Sequence, residues 1–205
     1  MAVKLTVPIP EQQIRALKVG DQVLLSGVIY TGRDAAHKYM MESFIKGKCP
    51  ESERAVYDEL KAGLTGSVIY HCGPVVLKGD DGKYKFVAAG PTTSIREEPY
   101  EAAVIEHFGV RAVIGKGGML DKTLAACRKH GAVYLHAIGG AATLIAESCI
   151  EVLGVYKLEF GVPEAFWKIR VQDFPCVVTM DSHGASRHEE VRANSEAKLR
   201  GLLAG

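Results

Sequence analysis

Hydrophobic and polar positions change period several times along this chain, and each change marks an element. Residues 1–20 read as an extended lead followed by a short polar helix from Pro10 to Leu17, with a turn at Gly20-Asp21. Gln22 to Tyr30 carries Val23, Leu24, Leu25, Val28 and Ile29, which predicts a strand. Ala35, Ala36, Tyr39, Met40 and Phe44 then form an apolar stripe at helical spacing, which predicts a helix from Asp34 to Phe44 with Asp34 placed to cap it. A loop from Ile45 to Glu53 and a short helix from Ala55 to Leu60 lead to a strand over Ser67–Cys72, ending at Gly73-Pro74. Val75 to Val87 reads as a hairpin turning at Gly79-Asp80-Asp81-Gly82.

Beyond Pro99 helical and strand periods alternate. Tyr100 to Phe108 is helical and stops at Gly109; Val110 to Ile114 is a strand running into Gly115-Lys116-Gly117-Gly118. Leu120 to His130 is a helix with Gly131 as its C′ residue, Ala132 to Ala137 a strand, and Ala141 to Cys149 a helix. This order implies parallel strands joined by right-handed crossovers. Strands over Val155–Phe160 and Cys176–Asp181 follow, and a polar tail from about His188 reads as a surface helix. The expectation is an α/β chain, β-rich in its first half and parallel α/β in its second. No linker separates the halves, so residues 1–205 are expected to be layers of one domain.

Charge narrows the function. Twenty-five Lys and Arg against twenty-four Asp and Glu give a net charge of +1, so no global field attracts nucleic acid. No apolar run reaches membrane-spanning length, and the N-terminal residues lack the apolar core of a secretory signal, so a cytoplasmic protein is expected. Five cysteines (Cys49, Cys72, Cys127, Cys149 and Cys176) show no C-x-x-C pair, and no His stands at zinc-ligand spacing from another ligand. Free, packed thiols are expected, and no complete metal or cofactor site within this chain.

Local placement of cations carries the remaining signal. Lys116 lies in a Gly-rich turn at a strand's carboxyl end, where ligands of parallel sheets sit and where a helix N-terminus favours an anion. Gly90-Pro91-Thr92-Thr93 has a stiff lead-in, and Arg96 follows Thr92 by four residues, on the same face if a helix begins there. Arg33, after Thr31-Gly32, either clamps a carboxylate or pairs with Asp34 or another acid. His37, His136 and Trp167 read as structural, and the adjacent Asp181-Ser182-His183 is weak evidence for a triad, whose members come from distant segments.

Taken in order, Gly32-Arg33-Asp34-Ala35-Ala36-His37, Gly73-Pro74, Gly90-Pro91-Thr92-Thr93-Ser94-Ile95-Arg96, Gly115-Lys116-Gly117-Gly118-Met119 and Ala137-Ile138-Gly139-Gly140-Ala141-Ala142 resemble the beta subunit, or C-terminal domain, of class I iron–sulfur fumarate hydratases. The L-tartrate dehydratase beta subunit is similar to nearly the same degree. The resemblance runs from about Leu5 to about Gly184. It implies a swivelling β/β/α domain and a [4Fe-4S] cluster whose cysteine ligands lie on a partner alpha subunit. It also implies an α2β2 hetero-oligomer and reversible hydration of fumarate to L-malate. By resemblance Arg33, Arg96 and Lys116 bind the dicarboxylate substrate, and Thr92 and Thr93 sit at the reacting carbon as catalytic candidates. The family usually continues after this arginine with Met-Asp or a similar pair, whereas Glu97-Glu98-Pro99 follow here. That departure leaves tartrate, or another hydroxy-diacid, as the alternative substrate. A non-catalytic dicarboxylate-binding module is the alternative of another class.

Overall fold

The computed structural model describes residues 1–203; Ala204 and Gly205, the end of the expected polar tail, lie outside the described residues. The strands are β1 (Val3–Thr6), β2 (Gln22–Thr31), β3 (Val68–Tyr70), β4 (Val75–Lys78), β5 (Tyr84–Ala88), β6 (Ala112–Gly115), β7 (Val133–His136), β8 (Cys149–Tyr156) and β9 (Phe166–Met180). The helices are α1 (Glu11–Ala16), α2 (Asp34–Tyr39), α3 (Arg54–Leu64), α4 (Glu98–Phe108), α5 (Asp121–His130), α6 (Ala142–Glu147) and α7 (Arg187–Leu203).

Seven strands form one sheet in the order β1-β2-β3-β6-β7-β9-β8. The pairs from β1 through β7 are parallel, while β9 is antiparallel to β7, β8 and β2. Because β2 and β9 also pair with each other, the sheet closes into a circuit through β2, β3, β6, β7 and β9. Strand alternation then makes two cores. Val68, Tyr70, Ala112, Ile114, Val133 and Leu135 point to one side, with Leu25, Ile29, Trp167, Ile169 and Phe174. Their neighbours Ile69, Val113 and Tyr134 point to the other, against Met40, Leu60, Leu64, Val104, Ile105, Phe108 and Cys127 of the helical layer. The five cysteines are free, and all but Cys49 are buried.

Four expectations are corrected. The two halves are not separate layers: β1, β2 and β3 from the first half share the parallel sheet with β6 and β7. The helix expected over Ala141–Cys149 ends at Glu147, because Cys149 already begins β8, where pairing with β9 overrides helical propensity. The strand expected over Val155–Phe160 is therefore the last part of β8, and Leu158–Phe160 is a 3-10 turn behind Lys157, whose φ is 59°. The strand expected over Cys176–Asp181 begins ten residues earlier, at Phe166. Pro175, which reads as a strand breaker, is accommodated just after Asp173, where φ is 48°.

The helix expected over Asp34–Phe44 is observed as α2 continued by a π-turn over Met40–Ile45. That over Ala55–Leu60 extends to Leu64. The hairpin and the Gly109 and Gly131 stops, both left-handed, are as expected.

Candidate functional site

Strands β2, β3, β6 and β7 are parallel neighbours, so their carboxyl ends share one edge of the sheet. Arg33 follows β2, His71 and Gly73 follow β3, Lys116 follows β6, and Gly139 follows β7. The segment carrying Thr92, Thr93 and Arg96 is laced onto this edge by main-chain bonds. Thr92 N donates to His71 O at 2.7 Å, Lys116 N to Thr92 O at 3.1 Å, and Ser94 N to Lys116 O at 3.0 Å. Thr93 and Lys116 form a parallel bridge, and Cys72 and Pro91 an antiparallel one.

Arg33, Arg96 and Lys116 thus come from three loops to one sheet edge. Arg96 Nη2 donates to Thr92 Oγ1 at 2.9 Å and lies 3.3 Å from Asp34 Oδ2. The i,i+4 relation expected for Thr92 and Arg96 is realised through a 3-10 turn over Ser94–Glu97 rather than an α-helix. Arg33 Nη2 pairs with Glu164 Oε1 at 3.2 Å. A Cβ on Gly73 would come to 2.5 Å from Arg33 Nη1, so glycine is what lets this guanidinium lie against the β3 turn. Lys116 is half-buried, its stem passing beside Gly139, and it makes no ion pair among the described residues. Thr93 is exposed and Thr92 half-buried.

Two expectations fail here. Asp34 does not cap α2 with its side chain; it pairs with Arg96 instead. Nor is the helix after Gly115-Lys116-Gly117-Gly118 open to an external anion. α5 starts only at Asp121, and Glu98 fills its N-terminus: Leu120 N and Thr123 Oγ1 donate to Oε2 at 2.9 and 2.7 Å, and Lys122 N and Thr123 N to Oε1 at 3.1 and 3.2 Å. Asp181-Ser182-His183 is a turn. Asp181 Oδ1 accepts from the main chain of His183 and Ala185, and the His183 ring meets Arg15 O at 2.9 Å.

Behind the edge lies a buried polar chain that the sequence reading did not assemble. Tyr134 and Ser94 hydroxyls are 2.8 Å apart, Ser94 Oγ is 2.8 Å from His71 Nδ1, and His71 Nε2 is 2.9 Å from Glu101 Oε2. His37 Nδ1 is 2.9 Å from Arg33 O, and its Nε2 is 3.1 Å from the same Glu101 oxygen, near enough for an ion pair but not aligned as a hydrogen bond. One proton arrangement satisfies the chain: Tyr134 donates to Ser94, Ser94 to His71 Nδ1, and His71 Nε2 to Glu101, while His37 donates to Arg33 O. All five side chains are buried, and so is Glu97, whose two carboxyl oxygens have no partner. Only a faint sequence signal existed: three acids, Glu97, Glu98 and Glu101, at the start of an otherwise apolar helix, and a histidine ending a buried strand.

His37, His71 and Glu101 have the composition of a metal site, with ligand atoms within 4.8 Å of one another. Yet His71 Nε2 is directed at Glu101 Oε2 in hydrogen-bond geometry, the direction a cation would need, so a proton accounts for the contact. Nor do the cysteines form a cluster site. Among the described residues no three cysteines bring their sulfurs to ligand distance of one another, and burial pushes the thiols of Cys149 and Cys176 up to about 12.

Burial alone would lower the His37 pKa, but the Glu101 carboxylate and the Arg33 carbonyl outweigh it, and the pKa is raised. Glu101 is lowered: burial opposes this, and the charges and hydrogen bonds of His37 and His71 prevail. Glu97 is raised by burial. The His37 contribution to stability is full below the ordinary imidazole value of 6.5 and lost as pH rises through the raised value. That of Glu101 is full above the ordinary carboxylate value of 4.5 and lost as pH falls through the lowered one. Both are complete only between 4.5 and 6.5. The Glu97 contribution is full below 4.5 and lost as pH rises through its raised value. The thermal midpoint is therefore expected to fall from pH 6.5 toward pH 9, and His37→Asn to flatten that fall; an unchanged slope in the variant would contradict the assignment.

Comparison with known proteins adds names to this geometry. A family model described as the fumarase C-terminus matches residues 1–191. A Geobacillus stearothermophilus protein, provisionally named class I fumarate hydratase, is 54% identical over 198 residues, which is 96% of this chain but 35% of that protein. The chain thus spans about a third of that relative's length. Two relatives match over most of both lengths. A Methanocaldococcus jannaschii protein, provisionally named L(+)-tartrate dehydratase subunit beta, is 41% identical over 94% of each chain. The L(+)-tartrate dehydratase subunit beta of Escherichia coli K12 is 39% identical over 88% of this chain and 83% of its own. With the family model covering almost the whole described chain, and relatives of this identity matched nearly end to end, this protein belongs to the fumarase C-terminus family.

Proposed function

We propose that this chain is the beta half of an iron–sulfur-dependent hydro-lyase that interconverts fumarate and L-malate together with a cluster-bearing alpha subunit, in an α2β2 assembly in the cytoplasm. One observation carries the reading: the Thr92–Arg96 and Lys116 loops are interlocked by main-chain bonds at one sheet edge beside two threonine hydroxyls, and the Arg33 loop reaches the same edge from β2, with Asp34 paired to Arg96. A dianion needs fixed opposing charge, and a site assembled before the substrate arrives does not reorganise during the reaction. Arg33 and Arg96 present planar forks for carboxylates, and Lys116 adds a point charge. Asp34 and Glu164 hold the two guanidinium groups by Nη2, which leaves Nη1 of each without an ion-pair partner among the described residues.

Thr92 and Thr93 sit at the reacting carbon in this reading. An unassisted threonine hydroxyl is a weak base and needs activation. The Arg96 guanidinium donates to Thr92 Oγ1, which stabilises negative charge on that oxygen and makes its proton easier to lose. No three cysteines among the described residues come together at ligand distance, so the [4Fe-4S] group is assigned to the partner, where it would supply Lewis acidity. Ile95 and Ile138, on the loops beside Arg96 and Gly139, are exposed apolar residues of the kind a partner face covers. A swivelling β/β/α domain, closing this edge over the partner's cluster, fits that arrangement. No described helix is long and apolar enough to cross a membrane.

A second substrate, tartrate, is favoured by one finding: the relatives matched across most of their own length carry tartrate dehydratase names. The test is co-expression with a cluster-bearing alpha chain under anaerobic conditions, followed by turnover assays with fumarate, malate and L-tartrate. Activity only in the complex is expected. Tight dicarboxylate binding by this chain alone, with no turnover in the complex, would make it a binding module instead.

A further inference from the structure

The site's two arginine-bearing loops touch at the surface only through the exposed Arg96–Asp34 pair, and both lead back to one buried oxygen. From Glu101 Oε2 one branch runs through His37, 3.1 Å away, to the carbonyl of Arg33. The other runs through His71 and Ser94, in steps of 2.9 and 2.8 Å, into the segment that holds Thr92 and Arg96. His71 grips that segment twice, since its own carbonyl accepts from Thr92 N. Tyr134 braces Ser94 from β7. Glu101 sits on α4, which belongs to neither loop, and its side chain is fully buried. We propose that Glu101 is a positioning residue for the hydro-lyase site, setting the spacing of Arg33 against Thr92 and Arg96 through His37 and His71. The activity part of this inference rests on the function proposed above.

The arrangement has a physical rationale. A carboxylate buried on both faces with a single oxygen shared by two imidazoles cannot shift toward one without leaving the other. The two loops are then fixed relative to each other, not merely each to the sheet. A displacement of an ångström in a substrate clamp is enough to lower turnover about a hundredfold.

Asparagine and glutamine dissect the branches. In His37→Asn the side-chain amide reproduces Nδ1, so the bond to Arg33 O is kept while the link to Glu101 is cut. In His71→Asn the Ser94 contact is kept and the Glu101 link is cut. Glu101→Gln removes the shared charge. Amide hydrogen exchange on the full chain reads each loop directly. Glu101→Gln is expected to accelerate exchange at least tenfold at His37 N and also at Thr92 N and Ser94 N. His37→Asn is expected to act on the first site, and His71→Asn on the second two. Glu98→Gln, which loosens the α5 N-terminus, serves as the control and accelerates only Leu124 and its neighbours. Nitrogen-15 spectra of the histidine rings, followed through a pH titration, should show His37 keeping its second ring proton to higher pH in the parent than in Glu101→Gln.

In the reconstituted complex, Glu101→Gln should raise KM for the dicarboxylate about tenfold and lower kcat, with melting cooperativity retained. If Glu101→Gln does not fold, the His37→Asn/His71→Asn double variant takes its place, with both loops expected to loosen. Exchange changes confined to one loop, or a lowered melting temperature with exchange in both loops and KM unchanged, would overturn the proposal. A parent complex without hydro-lyase activity would refute the proposed function, while the exchange data would still decide whether Glu101 couples the loops.

Discussion

Replacing Gly115 with alanine is expected to disrupt the candidate site more than any other single-methyl change in the chain. Gly115 ends β6 directly before Lys116, and every residue of that strand is buried. A Cβ there would overlap Ser94 Oγ and stand 3.0 Å from the Tyr134 hydroxyl and 3.3 Å from His71 Nδ1. The Ser94 hydroxyl cannot simply rotate away, because it is held between those two groups at 2.8 Å each. Rotation would leave His71 Nδ1 and the Tyr134 hydroxyl buried without partners, at about 1–3 kcal/mol for each unsatisfied group. Backbone movement is no easier, since Ser94 N is bonded to Lys116 O and Lys116 N to Thr92 O. Gly115→Ala should therefore lower stability by about 2–5 kcal/mol, measured by denaturant unfolding. Ser94→Ala removes the same two bonds without the overlap and should account for most of that loss. The double variant is expected to be little worse than Gly115→Ala alone. Full additivity of the two single effects would show that the overlap and the hydroxyl bridge are separate matters.

This case shows which parts of the molecule were legible in the sequence. The turn after β6 was readable because glycine repeats beside a lysine at a strand end. The reason for the first glycine was not, because it lies in a contact with Ser94, twenty-one residues away. The parallel strands were readable from alternation and glycine stops, as with Gly109 and Gly131. The closure of the sheet through β2 and β9 was not, because Pro175 and the left-handed Asp173 interrupt the pattern of the strand that closes it. Sequence motifs named Arg33, Arg96, Thr92 and Lys116 because loops carry them in short, glycine-bounded runs. Glu98 and Glu101 are three residues apart on one helix and look alike in sequence. One caps α5 and the other joins two histidines, and only packing separates those roles.

Removing the Lys116 ammonium with alanine, or the Arg96 guanidinium with alanine, is expected to lower turnover of the reconstituted complex by about 10²–10³ each, while the chain remains folded. The two halves of this expectation rest on different observations. Stability should hardly change because both side chains are partly exposed. The Arg96–Asp34 contact at 3.3 Å, with both groups more than two-fifths exposed, is a pair of the kind worth about 0–1 kcal/mol. Turnover should change greatly because each charge has a task the other cations of the site do not share. Lys116 makes no ion pair among the described residues and is free for the substrate, and Arg96 is the donor to Thr92 Oγ1. The two variants should also differ in kind. Lys116→Ala removes a point charge, so its effect should weaken as ionic strength rises and screens that charge in the parent. Arg96→Ala also removes the hydrogen bond to Thr92, and Arg96→Lys should recover little, because an ammonium cannot reproduce a fork that reaches both a hydroxyl and a carboxylate. Asp34→Asn supplies the counter-test. It frees Arg96 from its acid without removing the guanidinium, so KM for the dicarboxylate should fall or stay level. A rise in KM as large as that of Arg96→Ala would mean that Asp34, not the substrate, is the partner for which Arg96 is placed.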